Sequence, residues 1–453
     1  IGELEDLCGV SLNVNSAKQL VPYFYETLKL PIQYSNDKEH PKPTTDYEAL
    51  LKLAKECQKK DGDPRLPVIH SCIEIRSLGT RQQMLSISAD RDGRIRCGYN
   101  IVGSNTGRIS CYESPTGSGY NLQTIPNYTN LTDAPGGILG DRDLFLADEG
   151  NWFFQCDLKG ADGWTVAAYA AMLGDDTMLQ DYYAGLKPAN ILALMLRGKS
   201  IPNDRNELRV LSKQVGKDDW DYFACKRVQH GCSYLEGALT VSRNILKDSE
   251  GKLAMSVPEC EQLKGLFFTR YPGIKRWHAW VAQRLSERPV LVAASGQVRQ
   301  FFGRPDEILT KAVAFEPQAN TTYATNLAMF KLWTDPENRI VTQRDVSNNR
   351  NMPMCLGKET VANENRLATG IHGIVGPSGR QEGRNSVCSL RVEPLHQVHD
   401  ALCGQFKKED TAWSVGKIKQ WFNNPLVIAG HNITIPFDGA YGKSWGETTE
   451  GKI

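Results

Sequence analysis

Two apolar runs that each carry a lone carboxylate constrain this chain most. Trp152-Phe153-Phe154-Gln155-Cys156-Asp157 ends on one acid, and the stretch from Leu395 to Phe406 is broken by His399-Asp400. Runs of this kind read as buried strands. Two acids at the tips of two strands can hold a pair of divalent cations between them. Paired cations clamp the attacking and leaving oxygens of a phosphoryl transfer.

Bulk composition sets wide limits. The chain has 453 residues, enough for roughly two to four domains. Its 40% hydrophobic and 23% charged content is that of an ordinary soluble protein. The formal net charge is +1, so a surface for a polyanion must come from local clusters of Lys and Arg. The 12 cysteines include no CxxC pair, and Cys225 and Cys232 lack partners at zinc spacing. Reduced, buried intracellular thiols are the expectation. No apolar run of about 18 residues is present, so no membrane span is expected. The acidic start, Ile1-Gly2-Glu3-Leu4-Glu5-Asp6, does not resemble a signal peptide and lacks an initiator Met, which points to a processed or excised boundary.

The organisation alternates. Residues 1–92 read as helical: Asn15-Ser16 caps a segment to about Lys29, Thr44-Thr45-Asp46 caps another through Lys59, and a third covers Pro67 to Ser86. Residues 93–157 carry short β-type runs between Gly-, Ser- and Asn-rich turns, and Ala161 to Leu173 reads as a helix ending at Gly174. Residues 175–310 are mainly helical, and 308–333 read as a helix interrupted near Pro317. Residues 335–388 are polar and aperiodic, a long surface insertion. The remainder reads as strand–turn–strand around Asp400, then a helix from Thr411 to Phe422. No internal repeat is present.

Taken in order, the motifs resemble those of a family-A DNA polymerase, the class of bacterial DNA polymerase I. Thr106-Gly107-Arg108-Ile109-Ser110 followed by Asn121-Leu122-Gln123-Thr124-Ile125-Pro126 is similar to the signature TGRLS…NLQNIP. Asp157 through Asp162 stands where that family has motif A (DYSQIE). Lys226 through Tyr234 resembles motif B (KxxxFGxxY), and Gln397-Val398-His399-Asp400 resembles motif C (QVHDE). Asn13 to Leu20 is similar to the thumb sequence NLNSPKQL, and Gly442-Lys443-Ser444-Trp445-Gly446 to the family's ending.

The resemblance implies an α+β right-hand polymerase fold with a helical thumb (1–92), helical fingers (163–310) and an antiparallel-sheet palm (93–162 and 311–453, the latter with the insertion). It implies template-directed addition of dNTPs to a primer 3′ end. Asp157 and Asp400 would be catalytic and, with the Leu158 carbonyl, would hold two Mg²⁺, with Mn²⁺ as an alternative. Magnesium prefers octahedral oxygen ligation and keeps substrate phosphates in its shell. Asp162, Lys226, His230 and Tyr234 would bind the nucleotide beside Leu158. The last three are spaced i, i+4, i+8, within about 80° of one helix face. Arg108, Asn121, Gln123, Gln318 and His399 would contact primer–template DNA, where the minor groove offers acceptors common to every base pair.

Four positions depart from the family pattern. Tyr222 stands where motif B has Arg, which leaves a triphosphate contact to Arg227 or a nearby loop base. Asp162 replaces Glu, Ala401 replaces the Glu after motif C, and Ala314 replaces the Asn before Gln318. The chain begins inside the thumb-like sequence with no upstream 3′–5′ exonuclease region, so an exonuclease or processivity partner would be separate. The expected location is intracellular: cytoplasmic, organellar, or viral in an infected cell. Two other readings stay open, a single-subunit RNA polymerase relative and a catalytically weak nucleic-acid-binding module on the same fold.

Overall fold

The structure, a computed structural model, describes residues 2–37, 39–101, 103–113, 119–127, 140–340 and 389–453. In chain order its main elements begin with α1 (Gly2–Cys8), α2 (Ala17–Pro22), α3 (Tyr47–Gln58), α4 (Arg65–Leu85), β1 (Cys97–Asn100), β2 (Ser110–Glu113), β3 (Asn151–Leu158) and α5 (Ala161–Met172). There follow α6 (Thr177–Tyr183), α7 (Pro188–Leu196), α8 (Arg205–Ser212), α9 (Trp220–Ser233), α10 (Ala238–Asp248), α11 (Val257–Arg270) and α12 (Gly273–Glu287). The last part holds β4 (Val290–Val292), β5 (Val298–Gln300), α13 (Pro305–Thr334), β6 (Arg339–Ile340), β7 (Ser389–Leu390), β8 (Val392–Val398), β9 (Ala401–Lys407), α14 (Thr411–Phe422), β10 (Pro425–Ile428), β11 (His431–Thr434), β12 (Phe437–Gly442) and β13 (Gly451–Lys452). The chain divides into two compact units, residues 1–86 with 173–279 and residues 87–172 with 280–453. None of the described helices is long and apolar enough to cross a membrane.

The first unit is helical. Asp46 caps α3 as its sequence predicts, accepting the Ala49 amide at 2.9 Å. Leu4, Leu20, Phe24, Leu50, Leu53 and Ile69 form one buried cluster across α1 to α4. Farther along, α9 packs on α7, α10 and α11. Its approach to α10 requires Gly231, since an added Cβ would lie 2.7 Å from Val241 Cγ2. Buried Asp181 on α6 ties this group together, accepting from Arg205 Nε (3.2 Å), Arg270 (2.8 Å) and the Tyr271 hydroxyl (2.9 Å). A buried carboxylate needs this many partners to offset its desolvation.

The second unit is built on a five-stranded antiparallel sheet, order β13-β12-β3-β9-β8. Phe154 of β3 stacks on Phe406 of β9 at 5.9 Å between ring centroids. Gly404, beside it, has no room for a Cβ because the Phe154 ring fills that space. Helices α13 and α14 pack on β9 and on each other, and α13 also packs on α5. The predicted break near Pro317 is absent: α13 runs unbroken for 30 residues. Pro317 is buried inside it, so packing along the helix outweighs the hydrogen bond that the proline cannot donate. Of the predicted insertion, 341–388 lies outside the described residues, while Pro336–Asn338 form a 3₁₀ turn leading into β6.

Candidate active site

Strand register brings the two acids together. In the β3–β9 pair Asp157 stands opposite Ala401, and in the β8–β9 pair Val398 stands opposite the same Ala401. His399-Asp400 is therefore the two-residue turn of the β8–β9 hairpin, next to the end of β3. Neighbouring strands lie about 4.8 Å apart, so Asp157 and Asp400 share one end of the sheet. Asp157 is exposed and Asp400 half-buried. His399 is exposed and holds φ +54°, a conformation that costs a non-glycine residue energy and recurs at functional sites. Side chains brace the turn: Thr325 Oγ1 donates to the Asp400 carbonyl (3.2 Å), and Gln397 Nε2 to the His399 carbonyl (3.2 Å).

Asp162 joins this end of the sheet. Gly160, at φ +58°, turns the chain from β3 into α5 and places Asp162 in the helix's first turn. Thr321 Oγ1 of α13 donates to Asp162 Oδ1 at 2.7 Å, and the Arg108 guanidinium lies 3.9 Å from Oδ2. Burial raises the Asp400 pKa and the Asp162 carboxylate adds to the rise, while Arg108 and His399 oppose it. Among the described residues no three His, Cys, Asp or Glu side chains gather to enclose a metal. The donors present, two carboxylates and the Leu158 carbonyl at the end of β3, are hard oxygens. They suit a cation that keeps water and phosphate in its shell rather than one held in an all-protein cage.

The remaining predicted DNA contacts differ in placement. Gln318 is half-buried on α13. Asn121 caps a 3₁₀ turn, its Oδ1 accepting the Gln123 amide at 3.1 Å. Gln123 is engaged internally: Nε2 donates to the carbonyls of Ile109 (3.0 Å) and Gln397 (3.2 Å), and Oε1 accepts the Cys111 amide (3.2 Å). It therefore buttresses the strand that leads into the His399-Asp400 turn. Tyr99 acts beside it, its hydroxyl accepting the Gln397 amide at 3.0 Å.

Sequence reasoning did not find Tyr99, Thr321, Thr325 or Asp438. The available signal for Thr321 and Thr325 was an i, i+4 pair of polar residues in an otherwise buried helix. Asp438 stands directly opposite Asp157 on β12, with its carboxylate 2.5 Å from Lys159 Nζ.

In the first unit, Lys226 and His230 are exposed on α9. Tyr234 does not continue their face as an open ring. It is the C-cap residue, buried, with its ring 4.8 Å from that of His230. Arg227, the expected stand-in for the Arg replaced by Tyr222, is paired with Asp248 (3.2 Å) and lies over Phe223. A different cation neighbours Tyr222: Lys187 Nζ is 6.0 Å from its ring centroid.

Known proteins similar to this chain are DNA polymerases. The model of DNA polymerase family A matches residues 2–329. DNA polymerase I of Helicobacter pylori strain J99 is 35% identical over 300 residues, covering 66% of this chain and 28% of that protein. The DNA polymerase of Escherichia phage T5 is 23% identical over 299 residues, covering 61% of this chain and 30% of that one. The chain thus spans less than a third of the length of these relatives. Among solved structures, the POL domain of Pol1 from M. smegmatis, in complex with DNA primer-template and dNTP, superposes with a TM-score of 0.67 at 18% identity. That match covers 99% of this chain and 64% of that one, and it extends the likeness in fold to the α+β polymerase architecture. With its motifs in order and the family match running from the first helix into α13, this chain belongs to DNA polymerase family A.

Proposed function

We propose that the chain is a template-directed DNA polymerase that adds dNTPs to a primer 3′ end. The observation that carries this reading is the register that sets Asp157 opposite Ala401 and thereby beside Asp400. In the reaction, the primer 3′-oxygen attacks the α-phosphorus of the dNTP, the bond to pyrophosphate breaks, and the hydroxyl proton is lost. Two magnesium ions, when bound, would supply Lewis-acid polarisation and orient the phosphates. Asp157, Asp400 and the Leu158 carbonyl are the groups that would hold them.

The other residues position and neutralise. Asp162, fixed by Thr321, would stand against a ribose 2′-hydroxyl. Lys226 would neutralise the triphosphate, and His230 would meet the sugar. Arg108 and Gln318 would touch the duplex, with His399 at the primer end, while Asn121 and Gln123 would act through the loops they hold. We assign residues 1–92 to the thumb, 163–310 to the fingers and the rest to the palm. The buried cluster shared by α1 to α4 supports the first of these. Primer–template and dNTPs would be the partners. The test is extension of a primed template with Mg²⁺. Asp157→Asn and Asp400→Asn should each cut the rate by about a thousandfold or more, within the range that transition-state charge stabilisation supplies, while duplex binding survives. Near-normal extension by either variant would remove the metal assignment.

A further inference from the structure

Lys159 follows Asp157 by two residues, and the pleat of β3 carries that far. The Lys159 amide donates to the Pro436 carbonyl at 2.7 Å, one step beyond the Leu158–Phe437 pair that ends the β3–β12 ladder. Exposure alternates along this stretch: Asp157 and Lys159 are exposed, and Leu158 between them is buried. The two side chains therefore leave the same face, from Cα atoms about 6.6 Å apart. Asp438, opposite Asp157 on β12, shares that face, and Lys159 Nζ meets its carboxylate at 2.5 Å. Lys159 also departs from the signature that this segment resembles, since motif A (DYSQIE) has Ser at its position.

We propose that Lys159 is a phosphate-binding residue, which pairs with the terminal phosphates of the incoming nucleoside triphosphate, and that Asp438 is its counterion between nucleotides. This rests on the polymerase reading, which brings a triphosphate to Asp157. Magnesium keeps substrate phosphates in its shell, so phosphate oxygens bound through a cation at Asp157 come within reach of an ammonium on the next residue of that face. The ion pair that holds Lys159 meanwhile is open to water, its two side chains 48% and 76% exposed. Such pairs hold weakly, so Nζ can leave Asp438 for an anion of higher charge.

The pair adds little as a fastener. Strands β3 and β12 are already joined by a backbone ladder from Phe437 to Gly442. Its surroundings favour an anion instead. The chain turns at Gly160 into α5, which places Lys159 beside the positive end of a 12-residue helix. Phosphate and Asp438 compete for one ammonium, so removing the lysine and removing its counterion should act in opposite directions.

The experiment uses the full chain without primer–template, so that nothing turns over. Inorganic tripolyphosphate with Mg²⁺, and in a second series dATP with Mg²⁺, is titrated in by calorimetry. Lys159→Ala should weaken both Kd values about three- to tenfold, between the values for an exposed ion pair and a charge-assisted hydrogen bond. Lys159→Arg keeps the charge and should stay within about twofold of the wild type. Asp438→Asn should tighten binding about two- to fivefold, because the competitor is gone. Added to Lys159→Ala, it should change nothing further. Kd values unmoved in Lys159→Ala overturn the assignment. Weaker binding in both Lys159→Ala and Asp438→Asn shows a merely structural pair and overturns it too. Equal tightening by Asp438→Asn with and without Lys159 overturns the competition, since it reports only the lost negative charge. Primer extension by the wild type is scored in parallel. Extension with unmoved Kd values removes Lys159 alone. Kd values that move as expected in a chain that extends no primer remove the polymerase reading and leave the phosphate site.

Discussion

Asp162 is held where it stands by a hydroxyl on another helix. Thr321 bonds it at 2.7 Å, and a hydrogen bond to a charged acceptor is worth about 1.5–3 kcal/mol. If Asp162 excludes a 2′-hydroxyl, its exclusion depends on that anchor. Thr321→Val should therefore lower the ratio of kcat/KM for dCTP over CTP by about three- to tenfold, and Asp162→Ala should lower it further. A ratio unchanged in Asp162→Ala moves the gate elsewhere; one unchanged only in Thr321→Val shows that the hydroxyl does not position it. Asp157 and Asp400 could be read as candidates because each is an isolated carboxylate in or beside an apolar run, and Asp162 through its place in the motif A resemblance. Thr321 could not, because a helical threonine has no signature until its neighbour across the helix interface is known. His396 is a second residue visible only in the structure. It is fully buried, 4.3 Å from Trp445 between ring centroids, and burial, with Arg142 nearby, holds its pKa down to about 3 against an ordinary 6.5. Between those values the unfolded chain binds the extra proton, so stability falls as pH drops from about 6.5 towards 3, by up to about 1.4 kcal/mol per pH unit. Glu316 works in the opposite sense: burial raises it to about 7, so its contribution is lost as pH rises from about 4.5 to 7. Urea midpoints across pH 4 to 7 should flatten at the acid end in His396→Phe. An unchanged slope would mean that His396 titrates normally.

Element boundaries were mostly legible. The strand ending at Asp157, the helix after Gly160, the hairpin at Asp400 and the helix from Thr411 to Phe422 all fall where apolar pattern and caps put them. The exception is α13. Its proline argues locally for a break, and only contacts distant in sequence, with α5, α14 and β9, override that preference. On α9 the i, i+4, i+8 spacing predicted one face for three residues, yet the helix ends at Ser233 and Tyr234 turns inward as its cap. The same helix carries Tyr222 in place of a cation. Lys187, the N-cap residue of α7, lies over the Tyr222 ring, one helical turn from Lys226, and so can restore the missing positive charge beside it. Lys187→Ala should raise the KM for dNTP several-fold with a smaller change in kcat, as expected for loss of ground-state binding. The double variant Lys187→Ala, Tyr222→Arg should recover it. A KM that does not move in the single variant would show that Lys187 takes no part in triphosphate binding.

At the scale of the whole molecule, the segment 341–388 separates α13 from the hairpin that carries Asp400. The described residues on either side are paired: Ile340 stands opposite Ser389 and Arg339 opposite Leu390. The described residues thus stop and resume at adjacent strand ends, which a short turn can join. Asn338 secures the same junction from inside, its amide donating to the carbonyls of Leu332 (3.0 Å) and Val392 (3.0 Å) while its Oδ1 accepts the Val392 amide (2.8 Å). The connection from α13 to β8 therefore does not need the segment to hold its place. Closing a loop costs free energy that grows only slowly with length, so a shorter link should leave stability equal or slightly higher. Replacing 341–388 by a Gly-rich turn of about four residues should give a protein with an unchanged or raised urea midpoint and a primer-extension rate within about threefold of the parent on a short primed template. A folded deletion protein that extends no primer would assign the segment to the active site or to the grip on DNA. Loss of extension on long templates alone would place its contribution in holding the duplex between additions.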